Sequence, residues 1–217
     1  QPEAEGHTFR SQSDTEVVLR LFTVKGPAFL HDLNGFFALA IHDAENETLF
    51  LARDRFGIKP LHWAEADGRF LFASELRAVL ALGAARVQDR TSLRQYLAYH
   101  YIPAPESVFT TTRMLLPGHA LTVDASGMKE ERWYDVVTAS KQVAPSSDMR
   151  KTLFDLMDDA VRLRLIADVP VGAFLSGGVD SSIVSALATR HHKGLHTFSI
   201  GYADDPFFDE TRYAEEV

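Results

Sequence analysis

The sequence predicts an α+β arrangement followed by the beginning of an α/β arrangement, and three observations support this. In the first half, apolar runs return on themselves around turn residues such as Asp67-Gly68, which indicates antiparallel hairpins. A polar stretch over residues 138–147, which contains Pro145, then separates the two halves. The second half places strand, glycine turn, helix and strand in succession over residues 169–201, the order of a right-handed parallel βαβ unit.

The first half divides into short elements. Ser13 and Glu16 have the spacing of a capping box and begin a helix that Gly26-Pro27 ends, with a second short helical turn over 28–33. The buried stripe of that first helix is predicted to be Val17, Val18, Leu21 and Phe22. The remaining elements are predicted as strands over 36–42, 48–52, 61–66, 69–73, 119–123 and 129–134, with helices over 75–82 (capped by Ser74) and 91–101.

The second half begins with an amphipathic helix over residues 149–167, with Leu153, Leu156, Val161 and Leu165 facing inward. Two buried strands are predicted over 169–175 and 195–201, and a last helix begins at 208, capped near Asp209. A parallel sheet is normally covered on both faces, and a sheet of only two strands is too small for such packing. We therefore expect this domain to be cut short.

The turn between the first of these strands and its helix is predicted to bind an anion. Gly177 and Gly178 allow a phosphate to approach the backbone, and the helix dipole adds partial positive charge there. The hydroxyls of Ser176, Ser181 and Ser182 are expected to add donors, and Asp180, Ser181 and Ser182 to cap the first helical N–H groups. Ile183, Val184, Leu187 and Ala188 have the spacing to pack this helix on the strand.

This turn does not match two other phosphate-binding motifs. No Gly-Lys-Ser/Thr follows it, as in a Walker A loop, and the spacing of a dinucleotide fingerprint is absent. It resembles the SGG-x-DS pyrophosphate loop of ATP pyrophosphatases, and a Mg²⁺ ion between Asp180 and a phosphate would reconcile their charges. The alternative is an ordinary strand–turn–helix with a capping Asp.

The composition limits the function classes. The chain has 217 residues and a net charge of −8, which argues against a nucleic-acid or anionic-membrane surface. It has no cysteine, which excludes disulfides, thiolate metal sites and a thiol nucleophile from these residues, and which fits a cytoplasmic protein. We find no transmembrane run, signal peptide or H-E-x-x-H pair.

Several motifs, in one order, resemble the glutamine-hydrolysing asparagine synthetase family. They are HTFRSQSDTEVVL, LNGFFALAIHD, LARDRFGIKPL, FASELRAVL, LLPGHALTV and VPVGAFLSGGVDSS. The resemblance implies a class II glutaminase domain over 1–137, an αββα sandwich of the Ntn type without its N-terminus. A linker over 138–147 and the start of an ATP-pyrophosphatase synthetase domain over 148–217 would follow.

The resemblance also implies a reaction and its site residues. Glutamine would be hydrolysed by a cysteine that follows the initiator Met, and the ammonia would displace AMP from an acyl-adenylate, most simply that of aspartate. Asp14 matches the carboxylate that holds the α-ammonium of glutamine, and a capping Asp is the alternative. The ATP-binding positions would be Leu175, Ser176, Gly177, Gly178, Asp180, Ser181, Ser182 and Ile200, with Asp180 toward Mg²⁺.

Other residues are interpreted as structural. Arg53 and Asp54 are expected to brace a loop that contains Gly57, Lys59 and Pro60. Ser74-Glu75 is interpreted as a cap and His191-His192 as a favourable helix end, while Asp158-Asp159 and Asp204-Asp205 are interpreted as solvated faces. Trp133 and Tyr134 are candidates for a domain junction.

Three functions stay open at this point. The first is an ATP-dependent amide ligase with a coupled glutaminase. The second is a β-lactam-synthetase-like ligase with a vestigial glutaminase domain, and the third is a noncatalytic ATP-binding scaffold. The expected partners are glutamine, ATP and an acceptor carboxylate, without nucleic acid or membrane, and a homodimer is left open. Because the nucleophile is absent, we expect these residues to be an internal fragment that alone hydrolyses no glutamine.

Overall fold

A computed structural model describes residues 9–11, 13–144, 146–202, 204–205, 207 and 209–217. Pro145 of the predicted linker and the predicted helix start at Phe208 lie outside this description. The chain forms two compact units, Gln1–Val143 and Ala144–Val217. Each unit is described by itself below.

The first unit contains four α-helices, one 3₁₀-helix and seven strands within the described ranges. The helical elements are α1 Asp14–Lys25, a 3₁₀-helix Gly26–Asp32, α2 Leu76–Ala81, α3 Arg90–Tyr99 and α4 Val136–Gln142. The strands are β1 Ala38–Asp43, β2 Thr48–Arg53, β3 His62–Ala66, β4 Arg69–Ala73, β5 Thr112–Met114, β6 His119–Asp124 and β7 Gly127–Arg132.

These strands form two antiparallel sheets. One sheet has the order β1-β2-β6-β7, and the other has the order β4-β3-β5. In the first sheet Leu51 lies opposite Ala40 and Leu121, so apolar residues alternate in step on neighbouring strands. The β3–β4 hairpin pairs Ala66 with Arg69 around Asp67-Gly68, as predicted.

The two sheets pack face to face, and helices cover their outer faces, which gives four layers in the order α, β, β, α. The inner cluster comprises Leu51, Leu61, Leu115 and Leu121 with Trp63, Phe70 and Phe72 around them. On the outer face of the four-stranded sheet, Phe50 and Ala52 pack against α1 and the 3₁₀-helix. On the outer face of the other sheet, Val79 of α2 packs on Ala64 and Leu71. The predicted αββα sandwich is therefore confirmed.

Two predicted helix starts are wrong in their detail. Ser13 does cap α1, since its side chain accepts from the Thr15 N–H, but Glu16 does not complete a capping box with Ser13. The Glu16 carboxylate reaches farther back and accepts hydrogen bonds from Ser11. At α2, Glu75 takes the cap position in place of Ser74, with no capping side-chain bond in the described structure.

A short helix occupies the first part of the predicted linker. α4 spans Val136–Gln142, and the Asp135 side chain caps it by accepting from the Thr138 N–H at 2.7 Å. The division between the two compact units falls after Val143, directly behind this helix. The capped helix α4 therefore includes residues 138–142, which the polar composition had assigned to a linker.

The second unit contains α5 Met149–Arg164, β8 Gly172–Phe174, α6 Val179–His191, β9 His196–Phe198 and α7 Thr211–Glu215. β8 and β9 pair in parallel, with Ala173 opposite Thr197, so the predicted parallel βαβ connection is confirmed. Both strands are three residues long, shorter than the predicted runs over 169–175 and 195–201. The last helix begins later than predicted, at Thr211, and its N-cap is Glu210 without a capping side-chain bond in the described structure. The Asp209 side chain, just before the cap, accepts from the Thr211 N–H.

Several apolar residues of the second unit are exposed where burial was predicted. Leu153 and Leu156 of α5 are exposed, and so is Phe174 of β8, whose exposed fraction is 79%. On α6, Leu187 and Ala188 are buried as predicted, whereas Ile183 and Val184 remain exposed. None of the helices in the described ranges is long and apolar enough to cross a membrane.

Candidate functional site

The turn that follows β8 is fixed to the neighbouring strand on its inner side. Leu175 is buried, and its N–H donates to the Phe198 carbonyl oxygen at 2.9 Å. The Ser199 hydroxyl donates to the Leu175 carbonyl oxygen at 2.6 Å. Both backbone groups of Leu175 are thus satisfied by β9 and the residue after it, which holds the start of the turn in place.

The serine hydroxyls of the turn bind the turn itself. Ser181 Oγ accepts from the Ser176 N–H at 3.3 Å and donates to the Gly178 carbonyl oxygen at 3.1 Å. Ser182 Oγ donates to the same carbonyl oxygen at 2.7 Å. The prediction that these side chains cap the first helical N–H groups is therefore wrong, because their contacts with Gly178 and Ser176 close the turn instead.

Glycine is favoured at positions 177 and 178 for different structural reasons. Gly177 has φ of +77°, and a β-carbon there would lie 2.3 Å from the carbonyl carbon of Tyr213 in α7. Among the described residues, a β-carbon at Gly178 would meet the Ser176 and Ser181 hydroxyls alone, at 3.4 and 4.0 Å. The backbone of Gly178 is consequently the more open of the two, and it lies at the N-terminus of α6.

A cleft of about 350 Å³ lies beside this turn. It brings together four of the predicted ATP-binding residues: Leu175, Ser176, Ser181 and Ile200. Sequence reasoning missed the other lining residues, which are Phe174, Phe198, Ser199, Tyr202 and Glu210. The available signal was adjacency in the sequence, because Phe174 and Ser199 directly neighbour the predicted residues Leu175 and Ile200, which follow the two parallel strands.

The remaining predicted residues of this site lie outside the cleft lining. Gly177, Gly178 and Ser182 form the turn and the first helical turn next to it, and Asp180 is exposed in the first turn of α6. Within the described ranges, no group of three His, Asp or Glu residues could hold a metal ion. A lone exposed carboxylate fits a Mg²⁺ ion that takes most of its ligands from water and nucleotide phosphates.

Asp14, the predicted glutamine-binding residue, begins α1. Its carboxylate accepts a long hydrogen bond of 3.4 Å from Thr15 Oγ1. It borders a second cleft, of about 370 Å³, which is lined by Thr15, Val18 and Leu19 of α1 and by residues 37–42 along the edge strand β1. An exposed carboxylate at the rim of an apolar cleft has the chemistry to bind an ammonium group.

Arg53 and Asp54 brace the loop after β2, which confirms the structural interpretation. Arg53 donates to the carbonyl oxygens of Lys59 and Gly57 at 2.8 and 2.6 Å, and to that of Leu115 at 2.6 Å. Burial is the main cause that lowers the pKa of Arg53, and neighbouring Asp54 opposes it. A β-carbon at Gly57, whose φ is +66°, would lie 2.9 Å from the Arg53 guanidinium carbon. Glycine is thus required for the loop to close over the arginine.

Asp158 is a paired carboxylate, so its interpretation as part of a solvated face is wrong. His191 Nε2 lies 3.0 Å from Asp158 Oδ1, and an Arg190 nitrogen lies 3.7 Å from the same oxygen. Arg190 also lies over the ring of Phe154, at 5.1 Å from its centroid. These contacts join α5 to α6, and His191 acts as a partner of Asp158 in addition to ending a helix.

Trp133 and Tyr134 pack inside the first unit. The Trp133 ring stacks on Phe37 and meets His31 edge-on, and its Nε1 donates to the Arg53 carbonyl oxygen at 3.3 Å. The Arg55 guanidinium lies over both rings, 5.5 and 5.3 Å from their centroids. These contacts explain the two aromatic residues by packing within one unit.

Two family models match the chain in succession. The model described as a glutamine amidotransferase domain matches residues 1–134, and the model described as asparagine synthase matches residues 152–217. Among curated proteins, asparagine synthetase [glutamine-hydrolyzing] 3 of Bacillus subtilis is 36% identical over 218 residues, covering 97% of this chain and 35% of its own length. The putative asparagine synthetase [glutamine-hydrolyzing] 2 of Methanocaldococcus jannaschii is 34% identical, covering 94% of this chain and 41% of its own length.

The chain therefore spans between a third and about two fifths of the length of these curated relatives. Among solved structures, the glutamine phosphoribosylpyrophosphate amidotransferase of B. subtilis matches with a TM-score of 0.46 and 20% identity. That match covers 93% of this chain and 42% of the solved one.

Proposed function

Because this chain belongs to the glutamine-hydrolysing asparagine synthetase family, we propose that its full-length protein is an ATP-dependent amide ligase. It would convert a carboxylate, with aspartate as the first candidate, to an amide with ammonia released from glutamine. The observation that carries this proposal is that the two family matches and the two compact units divide the chain in the same region. The two family matches end and begin at residues 134 and 152, and the two compact units divide between them, after Val143.

In this proposal the first unit binds glutamine. The Asp14 carboxylate would hold the α-ammonium group at the rim of the cleft along β1, where the apolar walls strengthen a charge-assisted hydrogen bond. These 217 residues contain no cysteine, so the thiol that attacks the glutamine amide would come from sequence outside them. The 217-residue chain alone is then expected to release no ammonia from glutamine.

The second unit would bind ATP. Leu175 and Ile200 would offer apolar contact to the adenine, with a strand-end backbone group at Ile200, and the N-terminus of α6 would offer backbone N–H groups to the phosphates. The acceptor carboxylate would attack the α-phosphorus, and pyrophosphate would leave. Ammonia would then attack the acyl carbon of the adenylate, release AMP and, after loss of a proton, leave the amide.

Asp180 would hold a Mg²⁺ ion against the phosphates at the head of α6. Its exposure leaves room for water and phosphate oxygens to complete the octahedral shell that the ion requires. The ion would neutralise charge on the departing pyrophosphate. The cofactor requirement of the proposal is therefore ATP together with Mg²⁺.

The adenylate step can be tested with the full-length protein and aspartate labelled with ¹⁸O in the side-chain carboxylate. Attack on the α-phosphorus transfers one labelled oxygen to AMP, so mass spectrometry should find singly labelled AMP in amounts equal to the amide. Unlabelled AMP, or ADP as the product, would refute the acyl-adenylate route. ATP binding without any turnover, with a range of carboxylic acids, would instead favour the scaffold.

The nitrogen donor is tested separately with amide-¹⁵N glutamine. Transfer of ¹⁵N to the product would support a working glutaminase. Synthesis from ammonium salts but not from glutamine would favour an amide ligase with a vestigial glutamine site. Ring closure by an amine of the substrate itself, without glutamine or ammonium, would favour the β-lactam-synthetase-like branch. In that case Asp14 would keep only its place at the start of α1.

A further inference from the structure

The segment before α1 is held by one side chain from the first turn of that helix. The Glu16 carboxylate accepts from the Arg10 N–H at 3.0 and 3.2 Å, from the Ser11 N–H at 2.8 Å and from the Ser11 hydroxyl at 2.6 Å. These donors lie five and six residues upstream of Glu16. The carboxylate thereby bends the incoming chain back onto the start of the helix.

Two further hydrogen bonds connect Ser11 to the residues on both sides of Asp14. Ser11 Oγ accepts from the Ser13 N–H at 3.3 Å, and Ser13 Oγ accepts from the Thr15 N–H at 3.2 Å. Asp14 lies between the last two residues, so its backbone direction is set from both sides. A shift of the segment at Ser11 would pass directly to the Asp14 carboxylate.

The two carboxylates in the first turn of α1, those of Asp14 and Glu16, differ in the hydrogen bonds that they accept. Both oxygens of Glu16 are used by backbone and hydroxyl donors, and the Ser11 hydroxyl and the Arg10 N–H are the main causes that lower the pKa of Glu16. Asp14 accepts the long bond from Thr15 and faces the cleft along β1. Of these two carboxylates, Asp14 is thus the one available to an ammonium group, and Glu16 is already engaged.

We propose that Glu16 is a positioning residue for the glutamine substrate, which it affects by fixing the chain that aims the Asp14 carboxylate into the cleft. This inference rests on the proposed glutamine-binding role of Asp14. An ordinary helix cap would stabilise α1 alone, whereas a positioning residue must also change how tightly glutamine binds. The two roles therefore separate in the kinetics.

The test uses the full-length protein with Glu16→Gln, which keeps the size of the side chain but removes its charge and one acceptor oxygen. We expect the KM for glutamine to rise about tenfold, the loss of roughly one charge-assisted hydrogen bond, while synthesis from ammonium chloride keeps its rate. Ser11→Ala should raise the same KM by a smaller factor. Glu130→Gln is the matched control, since Glu130 is exposed on β7, in the other edge strand of the same sheet.

Asp14→Asn, measured alongside, separates the two proposals. If Asp14→Asn raises the glutamine KM and Glu16→Gln leaves it at the wild-type value, the positioning role is wrong and the glutamine site stands. If both variants match wild type, or if wild type uses no glutamine, the site and the inference fall together. An equal loss of the ammonia- and glutamine-dependent rates in Glu16→Gln would show a folding role only and would also overturn the inference.

Discussion

The backbone of Tyr213 lies against the α-carbon of Gly177, so that a β-carbon at position 177 would fall 2.3 Å from the Tyr213 carbonyl carbon and 2.5 Å from its oxygen. Helix α7 is thus seated on the turn that precedes α6. The glycine is needed for this approach between two protein segments, in addition to any need for a phosphate to reach the turn.

Gly177→Ala is expected to displace α7 and weaken ATP binding by the full-length protein. Gly194→Ala is a matched control, because Gly194 has a similar φ of +76° but no described atom within 4 Å of its would-be β-carbon. The control should show only the cost of the left-handed backbone, about 1 kcal/mol. Gly177→Ala should lose at least about 1 kcal/mol more in urea unfolding, because the backbone must also move. Equal losses in both variants would show that the Tyr213 contact is unimportant.

Asp180→Asn is expected to weaken Mg²⁺-dependent ATP binding at least about tenfold, because a neutral amide is a poor ligand for a hard cation. Isothermal titration of the full-length protein with ATP, with and without Mg²⁺, measures this directly. The effect should vanish without the metal. Asp159→Asn, which removes an exposed carboxylate paired with Arg162 on α5, should bind like wild type. An Asp180→Asn protein with unchanged affinity would refute the metal assignment.

Asp54→Asn is expected to destabilise the first unit by roughly 2–3 kcal/mol. The Asp54 carboxylate is buried and accepts from four backbone N–H groups, those of Phe37, Phe56, Ile58 and Lys59. An amide would replace one acceptor oxygen with a donor that faces other donors. In the 217-residue chain both tryptophans lie in the first unit, so their fluorescence during urea unfolding reports on it.

Asp67→Asn provides the reference for that measurement. Asp67 is exposed in the β3–β4 turn with φ of +52°, a backbone conformation that asparagine tolerates well. Its unfolding midpoint should stay within about 0.5 kcal/mol of wild type. A similar small change for Asp54→Asn would mean that the four backbone contacts contribute little.

His62 should make the first unit less stable as the pH falls below about 6.5, the ordinary pKa of histidine. Burial, with a further contribution from Arg53, lowers the pKa of His62, and its Nδ1 has no hydrogen-bond partner among the described residues. The unfolded chain therefore binds a proton at a higher pH than the folded chain does, which favours unfolding below that point. Carboxylates whose pKa is lowered in the folded chain, such as Asp89, reduce the stability only at more acidic pH, below their ordinary pKa of 3.8.

Urea midpoints at pH 7.5 and 5.5 test this dependence. His62→Leu should flatten the difference between the two midpoints, and His42→Leu, at an exposed position of β1, should retain it. An unchanged difference in His62→Leu would assign the pH dependence to other groups.

The sequence predicted the first unit more fully than the second, for a physical reason. Its hairpins carry local signals, such as Asp67-Gly68, and their alternating strands pair with neighbours that are close in the chain. Strand length in the second unit depends on partners instead: β8 pairs over three residues because β9 offers three. Periodicity could not foresee that Phe174 would be exposed.

For the candidate site, the sequence identified the turn but not its contacts. The SGG motif predicted Leu175, Ser176 and Ser181 as members of one ATP site, and the structure places these three residues along one cleft, because local spacing determines a strand–turn–helix. The approach of Tyr213 to Gly177 joins segments 36 residues apart by their numbers, and the pairing of Asp158 with His191 joins residues 33 apart. Such long-range contacts leave no periodic pattern in a single sequence.

The guanidinium of Arg53 implies an order of events during folding. One of its acceptors, the Leu115 carbonyl oxygen, lies 62 residues along the chain, and the others belong to the loop that it braces. A buried cation is costly until its acceptors have converged, so the β2–β6 pairing must be established before this loop can close. The loop that begins at Asp54 should therefore lock late, after the sheets have assembled, and the transition state for folding should form without it.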